Sequence, residues 1–99
     1  MKLPEDPMIR ELFPEFIETW LADIDEQFLP AYNAKSTDEV YRIGHTLKGT
    51  CLQFGIDDVA QLGIEMMAAS KEENWTQIFK LYLLIKGQFE AVKKELDSM

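Results

Sequence analysis

The chain has 99 residues, 46% of them hydrophobic, a single cysteine, and a formal net charge of −8 from 18 acidic against 10 basic side chains. This length accommodates one domain around one core. The lone cysteine excludes an intramolecular disulfide and fits a reducing, cytoplasmic setting, while the acidity repels nucleic acid and anionic lipid at long range. No apolar run approaches the roughly 20 residues of a membrane-spanning helix. Residues 1–7, polar and interrupted by Pro4 and Pro7, do not read as a secretion signal. The expectation is a soluble cytoplasmic chain, one domain over 1–99 with a tail of about six residues, working with protein partners.

Four stretches carry the apolar period of a helix. Asp6-Pro7 looks like a cap followed by a first-turn proline. It opens a short extra N-terminal helix through Met8, Ile9, Leu12 and Phe13, which Pro14 is expected to separate from the next or to kink into it. The first long helix then runs over about 14–32, with Ile17, Trp20, Leu21, Ile24, Phe28 and Tyr32 on its apolar side. The second opens at Ser36-Thr37-Asp38-Glu39, a capping box, carries Val40, Ile43, Leu47, Cys51 and Phe54, and ends at Gly55, where a left-handed residue is expected. In the third, Asp57 and Asp58 can cap the start and favour the positive end of the helix dipole. Its apolar face is Val59, Leu62, Met66 and Met67, and it ends near Ser70. The fourth runs over about 75–96 with Ile78, Tyr82, Ile85, Phe89, Val92 and Leu96 in alternating steps of four and three. With short connections and no strand signal, the pattern predicts an all-α, up-down-up-down four-helix bundle with a short extra N-terminal helix.

The second helix carries the one histidine. On a wheel of about 100° per residue, Val40, Ile43, Leu47, Thr50, Cys51 and Phe54 fall roughly 120° to 180° from His45. They define the core side and leave His45 facing solvent. Three-and-four spacing places Asp38, Tyr41 and Arg42 on one side of it and Lys48, Gly49, Leu52 and Gln53 on the other. Gly49 costs about 1 kcal/mol relative to Ala in a helix interior. Leu52 lies within about 20° of the His45 direction and exposes an apolar side chain. Each is ordinary on a surface by itself. Together they form a flat, accessible patch with a nucleophile at its centre.

Neutral imidazole is a good nucleophile near neutral pH. Lys48 can offset phosphoryl charge as a point cation, and Gly49 leaves room for another protein to close over the ring. Phosphoryl transfer rests mainly on positioning and charge stabilisation, usually with a metal. No metal cage is evident beside His45, so the patch reads as a substrate surface for catalysis supplied by a partner.

The run His45-Thr46-Leu47-Lys48-Gly49, with Gly55 ten residues after the histidine, resembles the signature of histidine phosphotransfer (HPt) domains, His-x-Leu-Lys-Gly with a later Gly. Leu62 and Glu65 stand where such domains often carry Leu and Glu, and the likeness of helix layout covers about residues 8–98. The resemblance implies that His45 accepts a phosphoryl group from the aspartyl phosphate of a receiver domain and passes it to another receiver. Such a protein is a phosphocarrier and not an enzyme. It needs no cofactor of its own, because the receiver supplies the Asp and the Mg²⁺. Lys48 and Gly49 would lie near the phosphoryl group, and Tyr41, Arg42, Leu52, Gln53 and part of the first long helix would form the docking surface. The implied partners are a hybrid sensor kinase and a downstream regulator, met by a monomer, and the lack of an ATP-binding or dimerisation segment separates the chain from a full sensor kinase.

The chain departs from the pattern at Gly44, where a helix former such as Ala is more usual and where a softer helix is therefore expected. It departs again at Leu52, larger than the expected residue, and at Thr50, a mild variant of Ser. The rival from another class is a helical adaptor that binds a partner without carrying phosphate. A metal-binding bundle fails on counting, since one His and one Cys about 120° apart on a helix do not make a site. Cys51 and the Met66-Met67 pair are most simply core.

Overall fold

A computed structural model describes residues 4–98 of the chain. It contains four helices, α1 (Pro7–Asn33), α2 (Thr37–Gln53), α3 (Asp57–Lys71) and α4 (Trp75–Asp97), and no strand among the described residues. Three-residue connections force successive helices antiparallel. Each helix touches two neighbours, in the cyclic order α1, α2, α3, α4, and the diagonal pairs do not meet. The result is the expected up-down-up-down bundle, 39 × 19 × 16 Å along its principal axes.

The N-terminal expectation needs correction. No separate short helix precedes the first long one, because α1 runs unbroken through Pro14 and also through Pro30. Asp6 caps it, accepting from the Met8 amide at 2.9 Å, with Pro7 at the first position as anticipated. Each internal proline removes one backbone hydrogen bond. Both rings are exposed, whereas Phe13, Ile17, Trp20, Ile24, Phe28 and Ala31 form one buried stripe across both positions. Packing of that stripe holds the helix together where the local bond is lost.

The three connections share one geometry. In each, the middle residue is left-handed: Lys35 at φ 53°, Gly55 at φ 79° and Glu73 at φ 53°. In each, the residue after it donates five positions back, Ser36 to Ala31 at 3.0 Å, Ile56 to Cys51 at 2.8 Å and Asn74 to Ala69 at 3.0 Å. These are Schellman turns, which satisfy the last carbonyls of the helix they close. Only the second has the glycine that makes a positive φ free of strain. At the first, the Lys35 ammonium lies 3.8 Å from the Tyr32 ring centroid, a cation–π contact that compensates the strain.

The caps differ in detail from the sequence reading. Ser36 accepts from the Glu39 amide at 3.3 Å. The reciprocal half of the box is missing, because the Ser36 amide serves the preceding turn and the Glu39 carboxylate pairs with Arg42. Asp57 and Asp58 are not caps. Ile56 holds the cap position without a side-chain bond, and the two aspartates fill the first turn of α3, where they act through the dipole alone. At α4, Asn74 accepts from the Gln77 amide at 3.2 Å.

Candidate functional site

The wheel of α2 is realised in three dimensions. Val40, Leu47 and Cys51 are fully buried, and His45 faces solvent. What fixes the height and rotation of His45 is the residue before it. A Cβ added to Gly44 would stand 2.7 Å from the Gly63 carbonyl oxygen, and one added to Gly63 would stand 2.7 Å from the Gly44 carbonyl oxygen. The backbones of α2 and α3 therefore touch at this pair. At Gly44, where a softer helix is expected, the missing side chain is what lets the backbone of α3 approach one residue from the imidazole. Taken alone, Gly44 gives no hint of this contact. The available signal was Gly63, a second glycine inside a helix, which an antiparallel hairpin about Gly55 brings opposite the first.

Asp38, Tyr41, Arg42 and His45 line one shallow depression of about 380 Å³. Arg42 is exposed and pairs with Glu39 at 3.2 Å. His45 and Lys48 have no hydrogen-bond or ion-pair partner among the described residues. No hydrogen bond from a described side chain selects one imidazole tautomer, and the residue is exposed. Gly49 has open space where a side chain would project, with nothing within 4 Å. Leu52 is 51% exposed and, with Gln53, borders a second recess shared with Asp6 and Ile9 of the chain's start. The docking residues inferred from sequence thus divide between two recesses, Tyr41 and Arg42 before His45 and Leu52 and Gln53 after it.

A third feature lies on the other flank of α2. Where α1 and α2 meet sparsely, an apolar groove of about 510 Å³ opens between Leu12, Phe16 and Trp20 of α1 and Thr46, Thr50 and Phe54. Phe54 floors it, stacked on Phe16 with centroids 4.0 Å apart. Thr50, read from the wheel as a core residue, is half-exposed on this groove and donates to the Thr46 carbonyl at 2.8 Å. The groove therefore begins at the residue beside His45. No group of three or more His, Cys, Asp or Glu side chains among the described residues could hold a metal ion. The second nucleophile, Cys51, is sealed in the core, and burial pushes its thiol up to about 12, far from the thiolate form that reacts.

The family model of the Hpt domain matches residues 8–98, almost the whole chain. The chain belongs to the Hpt domain family. No curated protein and no solved structure matches it. Hpt domains are helical bundles that serve as phosphocarriers in phosphorelays and interact with receiver domains of two-component systems, and this HPt domain has that bundle with its histidine on an outward face. No helix among the described residues is long and apolar enough to cross a membrane.

Proposed function

We propose that this HPt domain carries a phosphoryl group on His45, taking it from the aspartyl phosphate of one receiver domain and giving it to another. The observation that carries the reading is the exposed, unpartnered imidazole on a helix locked in place by the Gly44–Gly63 contact, with free space above Gly49. A ring nitrogen attacks phosphorus, a P–N bond forms, and the P–O bond to the aspartyl carboxylate breaks, the carboxylate leaving with the electron pair. Lys48, one turn along the same face, offsets phosphoryl charge. The receiver supplies the Asp and the Mg²⁺, so the chain itself contributes position and a nucleophile and no cofactor.

Tyr41, Arg42, Leu52 and Gln53 flank the histidine at both ends and form the docking surface, which extends into the α1–α2 groove through Thr46. In this reading the chain works as one domain and as a cytoplasmic monomer, between a hybrid sensor kinase and a downstream regulator. The test is transfer from a panel of phosphorylated receiver domains, with Mg²⁺, to the wild type and to His45→Gln. Acid-labile, alkali-stable label on the wild type and none on the variant is the expected result. No label from any receiver on the folded protein would favour an adaptor that binds partners without carrying phosphate.

A further inference from the structure

The tyrosine one turn before His45 makes a contact that the phosphoacceptor reading does not use. The Lys71 ammonium, from the last turn of α3, lies 5.4 Å from the centroid of the Tyr41 ring. Tyr41 in turn shares the His45 depression. Lys71 is exposed and has no ion-pair partner among the described residues, whereas Arg42 is engaged by Glu39 at 3.2 Å. Two unneutralised ammonium groups therefore bracket the imidazole, and they come from different helices. Lys48 stands one turn after His45 on α2, and Lys71 reaches the ring one turn before it from α3. The α2–α3 seam makes this possible: Gly44 and Gly63 bring the backbones together, and Ser70, next to Lys71, donates to the Thr37 carbonyl at 2.7 Å. In a chain of net charge −8, these two ammonium groups stand around the imidazole together with Asp38, which lines the depression, and the Arg42–Glu39 pair.

We propose that Lys71 is a positioning residue of the His45 site, an ammonium held by the Tyr41 ring that attracts and orients an acidic partner pocket presenting a phosphoryl group. The inference rests on the phosphoacceptor reading above and adds α3 to the footprint of the partner. A pocket that carries a phosphorylated carboxylate with further carboxylates around a divalent cation is met by cations on both sides of the nucleophile. An exposed rim charge acts on encounter and orientation, is weakened by salt, and leaves the chemical step unchanged. Tyr41 confines a side chain that would otherwise sweep freely through solvent.

The experiment is transfer from a phosphorylated receiver, with Mg²⁺, as a function of receiver concentration at low and high ionic strength, for wild type, Lys71→Ala, Lys71→Arg and Tyr41→Leu, each shown folded by circular dichroism. Lys71→Ala is expected to raise the half-saturating receiver concentration about threefold at low salt, with the maximal rate unchanged and the difference shrinking at high salt. Lys71→Arg keeps the wild-type value, and Tyr41→Leu falls between. Wild type labelled and Lys71→Ala indistinguishable from it at both salts would overturn this inference alone. A fall in maximal rate with no change in half-saturation would overturn the positioning role. No label on wild type from any receiver would overturn both readings.

Discussion

The two sides of the bundle are built from opposite materials. Along α2–α3 the seam is a backbone contact, Gly44 against Gly63, with Met67 and Leu47 packed at the two glycines and the buried Ser70 donating to the Thr37 carbonyl. Along α1–α4 it is made of rings, Phe28 stacked on Tyr82 at 4.2 Å and Trp20 on Phe89 at 5.8 Å, closed by Asp25 bonded to the Tyr82 hydroxyl and, at 2.9 Å, to the Lys86 ammonium. Rings supply buried area, and their rotamers can adjust to a neighbour. A backbone-to-backbone contact has nothing to adjust. His45, the proposed phosphoacceptor, is carried by the helix on the unyielding side and has no hydrogen bond to orient it among the described residues. On the proposed function, in which the partner supplies catalysis, the chain's contribution would be to hold a helix still, through the backbone contact of Gly44 and Gly63 instead of through a network around the imidazole.

The sharpest way to break this contrast is Gly63→Ala, which changes no residue of the candidate site. Its Cβ would meet the Gly44 carbonyl oxygen at 2.7 Å and the Lys48 amide nitrogen at 3.0 Å, atoms that cannot turn away. Overpacking of this kind costs about 3 kcal/mol at the upper end of its usual range, and the better helix propensity of alanine returns about 1 kcal/mol. A net loss of about 2 kcal/mol corresponds to roughly 10 °C in a domain of this size. Thermal unfolding followed by circular dichroism checks it, and transfer to His45 should slow as α2 is pushed outward. An unchanged Tm would mean that the seam is not held by backbone contact.

Next in size is a pair of substitutions that separates stability from docking. Gly49 and Gly87 both lie inside helices with open space where a side chain would project. Alanine at either is expected to stabilise the fold by about 1 kcal/mol, the reverse of Gly63→Ala. Only Gly49→Ala should slow transfer from a receiver, because it alone fills the space beside the imidazole. Equal transfer rates for the two variants would remove Gly49 from the site.

Much of this was legible in the sequence. The four helices, the left-handed Gly55, the core sides of α2 and α4 and the outward His45 all follow from periodicity and caps, which are local signals. What the sequence concealed depends on other helices. Pro14 argues locally for a break, and only the buried stripe from Phe13 to Ile17 and onward overrides it. Gly44 looks like a weakness until Gly63 is placed opposite it. Thr50 falls on the core side of the wheel, yet the sparse α1–α2 joint leaves it at the edge of a groove. Lys71 lies 26 positions after His45, so no spacing within one helix links it to Tyr41.

The smallest expected effect tests the other side of the comparison, through pH. The Tyr82 hydroxyl first, and then the Lys86 ammonium, hold the Asp25 carboxyl below the usual carboxylate range. The unfolded chain therefore binds this proton more readily than the folded one does. The contribution of Asp25 is complete above the unfolded value of about 3.9 and disappears as pH falls through the lower native value. At alkaline pH the sign follows from the partners. Burial and Asp25 raise Tyr82, and the Asp25 bond raises Lys86, so their contribution is present below their unfolded values and lost as pH rises through the native ones. Because Asp25 and Lys86 are partly solvated, screening keeps the gain modest. Asp25→Asn should lower Tm by a few degrees at pH 7, less than Gly63→Ala does, and the gap should close once acid has protonated Asp25 in the wild type. Transfer to His45 should not change, because the substitution lies on the seam of rings. A loss of transfer without a loss of stability would show that the two sides of the bundle are coupled after all.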